Sequence, residues 1–463
     1  MTHEMMVLRR AYEAWMGGSS LRSSRERNKR FTFGDQWGDI TLTHNGDAVT
    51  DWERFARAGT TPVTNNLIRQ LVKTIVGRFR AHIINKEKIS NKKLVRLHDE
   101  NDLAELDARA LEEFLISGCC IQRVDRDTNT TGHTDTLVAN VSPTRFFVNA
   151  FIDPRGRDCR IVGQLHDFTI AQLLHRMAGG SRRKAAWVRR LYSEQVDSRI
   201  AACSTQLGAD SQNGMDFWYC RDNDRLRAIE VWTLESREVM VCHDQRTAQL
   251  ETLSLSQARK LRGNPNVKMR WDVQWYWHCR WFSPMGDLLG ECDAERHPFV
   301  MRFYPLVDGE VHSLVEDVID QQKFINRLIS LVDQAMMNSA KGVLLYPETA
   351  LPEGFTWNDV RRVWSAPGGI LPYSPALSDA RPEQIQSNAT DFGAYDMINL
   401  QMKMLEEVSG VHGALQGKNV ATGGSATLYQ MQSDNADLAL TDIYDTFDAF
   451  RRQRDTFAAT LMA

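Results

Sequence analysis

Val63, Leu67, Leu71, Ile75 and Phe79 recur every four residues, and Ile68, Val72 and Val76 widen the stripe they draw. That spacing predicts an amphipathic helix over 62–80, with Pro62 in its first turn and Arg69, Lys73 and Arg80 toward water. A second helix is expected over 95–117, stopped by Gly118. Strand-like runs follow at 120–124, 137–141 and 145–152, then a short helix at 168–178 with Thr169 near its start. Between 226 and 306 the period becomes two. Trp271, Val273, Trp275 and Trp277 alternate with Asp272, Gln274 and Tyr276, the pattern of a half-buried antiparallel strand. Such tryptophans can stack bases; more often they form the buried face of a sheet, and that is the expectation here.

From 313 to 340 the pattern is one long helix without proline or glycine. Val315, Val318, Ile325, Ile329, Val332 and Met336 form a stripe near heptad spacing, with Leu314, Leu328 and Leu331 beside it. At 1.5 Å per residue such a helix is about 42 Å long, a rod that needs apolar partners on more than one side. Residues 343–387 break the texture with short strand-like runs, one small helix and several prolines, which predicts a compact insert. Helix resumes over 388–409, stops at a glycine-rich loop, and starts again at Ser425 as an N-cap. The last helix carries Leu440, Ile443, Tyr444, Phe447 and Phe450 on one side. Asp434, Asp437, Asp442, Asp445 and Asp448 give it an acidic face. The fold class is therefore α+β, with no internal repeat of solenoid period.

At 463 residues, 42% hydrophobic and 25% charged, the chain can bury one large core or two to three smaller ones. It has no run of about eighteen apolar residues, so no membrane partner is expected, and the acidic Glu4 near the start argues against a signal peptide. Synthesis in the cytosol follows. Eight cysteines without C-x-x-C spacing read as reduced, buried thiols. Cys242, His243, His278, Cys279, Cys292 and His297 can be drawn as a zinc site, but they lack finger or ribbon spacing. A particle that leaves the cell could acquire disulfides. The basic run RSSRERNKR reads as solvated loop charge and SRRKAAWVRRLY, around Trp187, as a solvated helix face; nucleic-acid contact is the second reading of both. Glu316, Asp317 and Asp320 suit the positive end of the long helix better than a metal. No metal or cofactor is expected.

Charge divides the chain. Residues 311–463 carry 11 Lys+Arg against 19 Asp+Glu, a net of −8, whereas residues 1–310 net +5. A surface that grips duplex phosphates should be basic, so the C-terminal third would repel DNA. The loop LQGKNVATGGSATL (415–428) invites a nucleotide-binding reading, which fails. Gly413 stands too close before Gly417, Asn419 follows Lys418 where a P-loop needs serine or threonine, and a helix precedes the loop in place of a strand.

The order of these parts resembles the portal protein of tailed bacteriophages, nearest the portals of short-tailed phages. FTFGDQWGD followed by PVTNNLIRQLVKTIVGRF is similar to the family's entry into its wing domain, and LDARALEEFLISGCCIQRVD with VSPTRFFVNAFIDPRGRD to its helix-then-sheet passage. VEDVIDQQKFINRLISLVDQA resembles the first stem helix, through Asp320, Gln322, Asn326 and Ser330. EEVSGVHGALQG resembles the end of the second.

The resemblance implies an N-terminal arm (1–60), an α/β wing (61–312), stem helices at 313–342 and 388–412 and an α/β clip at 343–387. It further implies a tunnel loop at 413–424 and a helical crown at 425–463, without the long C-terminal barrel of some portals. Gly413, Gly417, Lys418, Asn419, Thr422, Gly423 and Gly424 would form the loop that meets DNA. Asp434, Asp437, Asp442 and Asp445 would form the acidic crown face. The implied partners are further copies in a dodecameric ring, double-stranded DNA in transit, the terminase packaging motor, major capsid and scaffolding proteins, and head–tail adaptor or tail proteins. Two other readings compete. A metal-dependent DNA-processing enzyme needs clustered carboxylates or histidines, and a virion ring or adaptor without a channel has no need of two long helices flanking an insert.

Overall fold

The structure, a computed structural model, describes residues 2–462 apart from 43–45, 58–60, 87–90, 129–133, 206–215, 221, 223, 245–249, 261–266, 308, 342, 349–350, 353, 366–369, 375–381, 386–392, 412–437 and 439. It forms two compact units. One comprises Met1–Thr32, Leu71–Asp317 and Ala414–Ala463, the other Phe33–Gln70 and Val318–Gly413.

Helices α1 (His3–Gly17) and α2 (Ser19–Phe33) open the chain. The basic run expected as loop is the body of α2. Burial explains it: Arg25 is buried and forms a two-pronged ion pair with Glu113 at 2.7 and 2.8 Å. Asn28, also buried, donates to the carbonyl of Ile116 at 3.0 Å and to Ser313 Oγ at 2.9 Å. The short pair β1 (Ile40–Leu42) and β2 (Ala48–Thr50) leads into α3 (Asp51–Arg57) and α4 (Leu67–Lys86).

The helix expected over 95–117 is two, α5 (Lys92–Glu100) and α6 (Leu103–Ser117). Asp102, at φ 47°, breaks it. The break lets Asn101 bond the Leu97 and Thr136 carbonyls, each at 3.0 Å, and accept the Val138 N–H at 2.9 Å, so one side chain ties a helix end to a strand. Gly118 stops α6 as expected, at φ 71°, and a Cβ there would lie 2.6 Å from the Val311 side chain.

Strands β3 (Cys119–Thr128), β4 (Thr134–Asn140), β5 (Phe146–Val148) and β6 (Ile161–Phe168) follow, then α7 (Ile170–Ala178) and α8 (Arg182–Thr205). Thr169 caps α7 in a capping box with Gln172. Next come β7 (Leu226–Asp244), β8 (Leu250–Ser254), α9 (Leu255–Lys260), β9 (Val267–Phe282), β10 (Leu288–Ala294) and β11 (Phe299–Phe303). The main antiparallel sheet has the order β10-β9-β7-β6-β5; β7 is long enough to pair β6 along its first half and β8 along its second. A three-stranded sheet, β11-β3-β4, stands beside it in the same unit.

Alternation places the core. On the main sheet Ile161, Leu165, Ile229 and Val231 pack with Val7, Leu8, Ala11 and Trp15 of α1. Val162, Ala228 and Trp232 point the other way, against Leu173 and Met177 of α7, Val188 and Tyr192 of α8, and the smaller sheet. The arginines and Trp187 of SRRKAAWVRRLY lie on the exposed side of α8.

The tryptophan stripe departs from expectation. Trp277 and Trp281 reach the core, but Trp271 is 56% and Trp275 68% exposed. The β9 residues in these clusters begin at Trp277, so among the described residues the first half of the strand, though regular in pattern, belongs to neither cluster.

His297 is buried under the Trp277 ring at 4.6 Å, and its Nδ1 accepts the Phe299 N–H at 3.2 Å. Burial pulls its pKa down to about 3. A base whose folded pKa is depressed contributes stability that is complete above its unfolded pKa and lost as pH falls toward the folded one. Urea unfolding should therefore lose up to about 1.4 kcal/mol per pH unit between roughly pH 6.5 and 3 on this account. His297→Phe should flatten that slope, and equal slopes in the two proteins would refute the assignment.

Beyond β12 (Leu306–Val307) and β13 (Glu310–Val311) runs the long helix α10 (Leu314–Lys341). Strand β14 (Val343–Leu345), α11 (Trp357–Ser365) and β15 (Glu383–Ile385) follow, with Val343 paired to Ile385, so the two ends of the insert meet in one antiparallel pair. Helices α12 (Ala394–Ser409) and α13 (Thr441–Met462) complete the chain. Ser425 lies outside the described residues.

Candidate functional site

On α10 the residues predicted as an apolar stripe divide. Val315, Val318 and Ile325 are buried, Ile329 and Val332 half-buried, and Met336 is exposed. Between them runs a buried polar line, Gln322, Asn326 and Ser330, spaced by four so that all three lie on one face. This line receives the segment that precedes α4. Ser330 Oγ accepts the Val63 N–H at 2.9 Å, Asn326 Oδ1 the Asn65 N–H at 3.0 Å, and Gln322 Oε1 the N–H groups of Leu67 and Ile68 at 2.9 and 3.3 Å. Gln322 Nε2 returns a bond to the Asn65 carbonyl at 2.6 Å and another to Asn326 Oδ1 at 3.0 Å.

The geometry corrects the start of α4. Pro62 is not in its first turn; the helix begins at Leu67, and residues 62–66 run without helix along α10. A helix start leaves four N–H groups without intrahelical partners. Asn66 Oδ1 accepts one, from Arg69 at 3.0 Å, and Gln322 accepts those of Leu67 and Ile68 from another helix. Gln322 is a cap supplied from outside.

Residues that sequence reasoning passed over complete the site. Asn326 Nδ2 donates to Gln36 Oε1 at 2.5 Å, and Gln36 Nε2 to Asn66 Oδ1 at 3.1 Å. Trp37 Nε1 donates to Thr64 Oγ1 at 2.9 Å. One turn along, Lys323 meets Asp39 at 2.9 Å, and Arg327 meets the buried Asp51 at 3.1 Å. The available signal was polar residues repeating at i, i+4 and i+8 on the inward side of an amphipathic helix, where leucine would otherwise stand. Asp320, grouped with this run in the sequence, is exposed and takes no part in it.

The acidic residues of the last helix are partly visible. Asp442 and Asp445 are exposed on α13, and Tyr304 Oη donates to the Asp442 carboxylate. Burial, with Asp442 beside it, pushes the Tyr304 hydroxyl up to about 12, which keeps it a donor. The opposite face of α13 packs Ile443, Phe447 and Phe450 inward, with Phe79 and Phe114 against Phe447. Asp434, Asp437 and the loop residues Gly413, Gly417, Lys418, Asn419, Thr422, Gly423 and Gly424 lie outside the described residues.

Nothing among the described residues groups three or more histidines, cysteines or carboxylates around a possible metal position. No helix there is long and apolar enough to cross a membrane.

Against family models, residues 8–455 match the phage P22-like portal protein. The chain belongs to that family. Its role is accordingly that of a portal protein, a structural component of the virion that serves as a DNA channel in genome packaging and is not an enzyme. A ring of subunits, in contact with DNA and with capsid and tail components, is what membership of the family implies. Among curated proteins the chain finds no match.

Proposed function

We propose that twelve copies of this portal protein close into a ring at one capsid vertex, through which the genome is packaged, retained and ejected. In this reading α10 and α12 are the stem, the insert between them is the clip that meets the terminase motor and later the head–tail adaptor or tail, and α13 belongs to the crown. The wing faces the capsid and scaffolding proteins.

The observation that carries the reading is the apolar surface left uncovered on both long helices. Met397, Leu400, Met404 and Val408 repeat along α12 at intervals of three and four residues, and all are exposed; Phe324, Leu331 and Met336 are exposed on α10. Leu405 and Ser409 are buried on another face of α12, so the subunit already uses one side of that helix. An exposed stripe of this length on a soluble chain marks an interaction surface. A neighbour related by rotation covers it in a head-to-tail contact that closes as a ring.

The acidic C-terminal third then faces a polyanion. Like charge with few basic contacts lets duplex DNA slide without adhering. The glycines of 413–424 let the tunnel loop change conformation as DNA passes, and Lys418 supplies a weak phosphate contact. Native mass spectrometry with negative-stain imaging should show a closed ring of about twelve chains with a central hole. Monomers that persist even with scaffolding protein present would overturn the reading. In such rings, lysine at Asp434, Asp437, Asp442 and Asp445 should make DNA adhere at low salt and release as ionic strength rises. Retention equal to the parent ring would overturn the acidic-channel part alone.

A further inference from the structure

The geometry points to a disulfide-forming site at Cys279 and Cys292, closed by thiol–disulfide exchange after the particle leaves the reducing interior of the cell. The two residues stand directly opposite each other in the β9–β10 ladder, between the pairs Arg280–Glu291 and His278–Asp293. Directly opposed residues of an antiparallel pair have Cα atoms about 4.5–5.5 Å apart whichever kind of pair they form. A disulfide spans about 4.4–6.8 Å, so the Cα spacing of an opposed pair lies within its reach. Both side chains leave the sheet on the same face, as directly opposed residues of a ladder do.

Their surroundings divide the chemistry. Cys279 is fully buried in the larger core cluster, whereas Cys292 is exposed on an edge strand. Contact with the Cys279 thiol, helped by the His278 imidazole, brings the Cys292 pKa down to about 7 against an opposing effect of burial. The same contact and burial push Cys279 up. An accessible thiolate beside a buried thiol is the arrangement of an attacking and a resolving cysteine. Cys119, Cys120 and Cys159 differ: burial pushes Cys119 and Cys159 up to about 12 and Cys120 well above its ordinary value.

The oxidant is a low-molecular-weight disulfide. Cys292 thiolate attacks one of its sulfurs, its S–S bond breaks, and one small thiolate leaves as a mixed disulfide forms on Cys292. Cys279 Sγ then attacks the Cys292 sulfur, the departing small thiolate takes the Cys279 proton, and the intrachain bond closes. In balance, two protein thiols and one small disulfide become one protein disulfide and two small thiols. A virion protein is made in a reducing compartment and works outside it, so the dithiol form belongs to assembly and the closed form to the released particle. The closed bond pins the edge strand β10 to β9.

Treating the full-length reduced protein with oxidised glutathione at pH 8 and measuring its intact mass tests the site. The expected product has lost two hydrogens and holds no glutathione, and its digest contains one peptide pair joined through Cys279 and Cys292. Cys279→Ser should stop at a single glutathione adduct on Cys292, and Cys292→Ser should stay unmodified at this site. A stable glutathione adduct on the parent protein would overturn the proposal. So would a Cys292 that alkylates readily with iodoacetamide while the pair never closes. Because the readout is made on the subunit, failure here leaves the ring untouched, and a missing ring leaves the disulfide untouched.

Discussion

Asp107→Ala is expected to lower the unfolding free energy by about 3–5 kcal/mol. Asp107 is 1% exposed and sits beneath two arginines of the last helix, the fully buried Arg454 and the buried Arg451. Its carboxylate takes the Arg451 Nε at 2.9 Å and the Arg454 Nη1, and Gln122 Nε2 adds a third bond at 3.2 Å. Removing the carboxylate takes away the partner that the two buried guanidinium groups share and leaves Arg451, over the Phe79 ring, with Asp448, and Arg454 with Asp455 and Gln122. Asp107→Asn keeps the shape and the bond to Gln122 but not the charge, and should cost less than alanine. Urea denaturation of the two variants checks the ordering. A loss below about 1 kcal/mol for alanine would show that the pocket admits water and behaves as surface.

The second large effect belongs to Gln322→Leu, with an expected loss of about 2–4 kcal/mol. Leucine fits the face by size and hydrophobicity, and the α10 periodicity by itself would accept it. It cannot accept the N–H groups of Leu67 and Ile68 or donate to the Asn65 carbonyl; Leu67 N–H and that carbonyl keep their bond to each other at 3.0 Å, while the Ile68 N–H loses its acceptor. Gln322→Glu should not rescue: a carboxylate would face the Asn65 carbonyl and Asn326 Oδ1 in place of the amide that now donates to both. Ser330→Ala should cost only about 1 kcal/mol, since Val63 is exposed and water can take its N–H. Amide hydrogen exchange discriminates. If the Gln322 cap matters, Leu67 and Ile68 exchange faster in Gln322→Leu while the middle of α4 is unchanged. Uniform acceleration along α4 would instead point to general loosening.

Period and punctuation carried the elements whose cause is local. Gly118 ends a helix because it alone takes φ 71° without strain, and Thr169 with Gln172 starts one by pairing its own end groups. The alternation at 226–234 predicted a strand for the same reason that Ala228 and Ile229 now sit in different clusters. The family resemblance, too, was legible, because it rests on the order of long helices, insert and glycine loop, which a linear reading preserves.

What the sequence could not decide depended on partners far away in the chain. Pro62 looks like a first-turn residue until α10 supplies the cap that lets the helix wait for Leu67. Trp271 and Trp275 have a core strand's pattern, but burial depends on whether something covers the strand, and nothing in the strand itself specifies that. The basic run of α2 resembles solvated charge because Glu113, which buries Arg25, lies 88 positions on. Gln322, Asn326 and Ser330 are visible as a motif, yet only the fold reveals that they read backbone from a segment more than 250 residues earlier. Cys279 and Cys292 are two unremarkable thiols until the β9–β10 register sets them face to face. Local conformational preference is written residue by residue and can be read that way; burial, pairing and register are properties of the assembled chain.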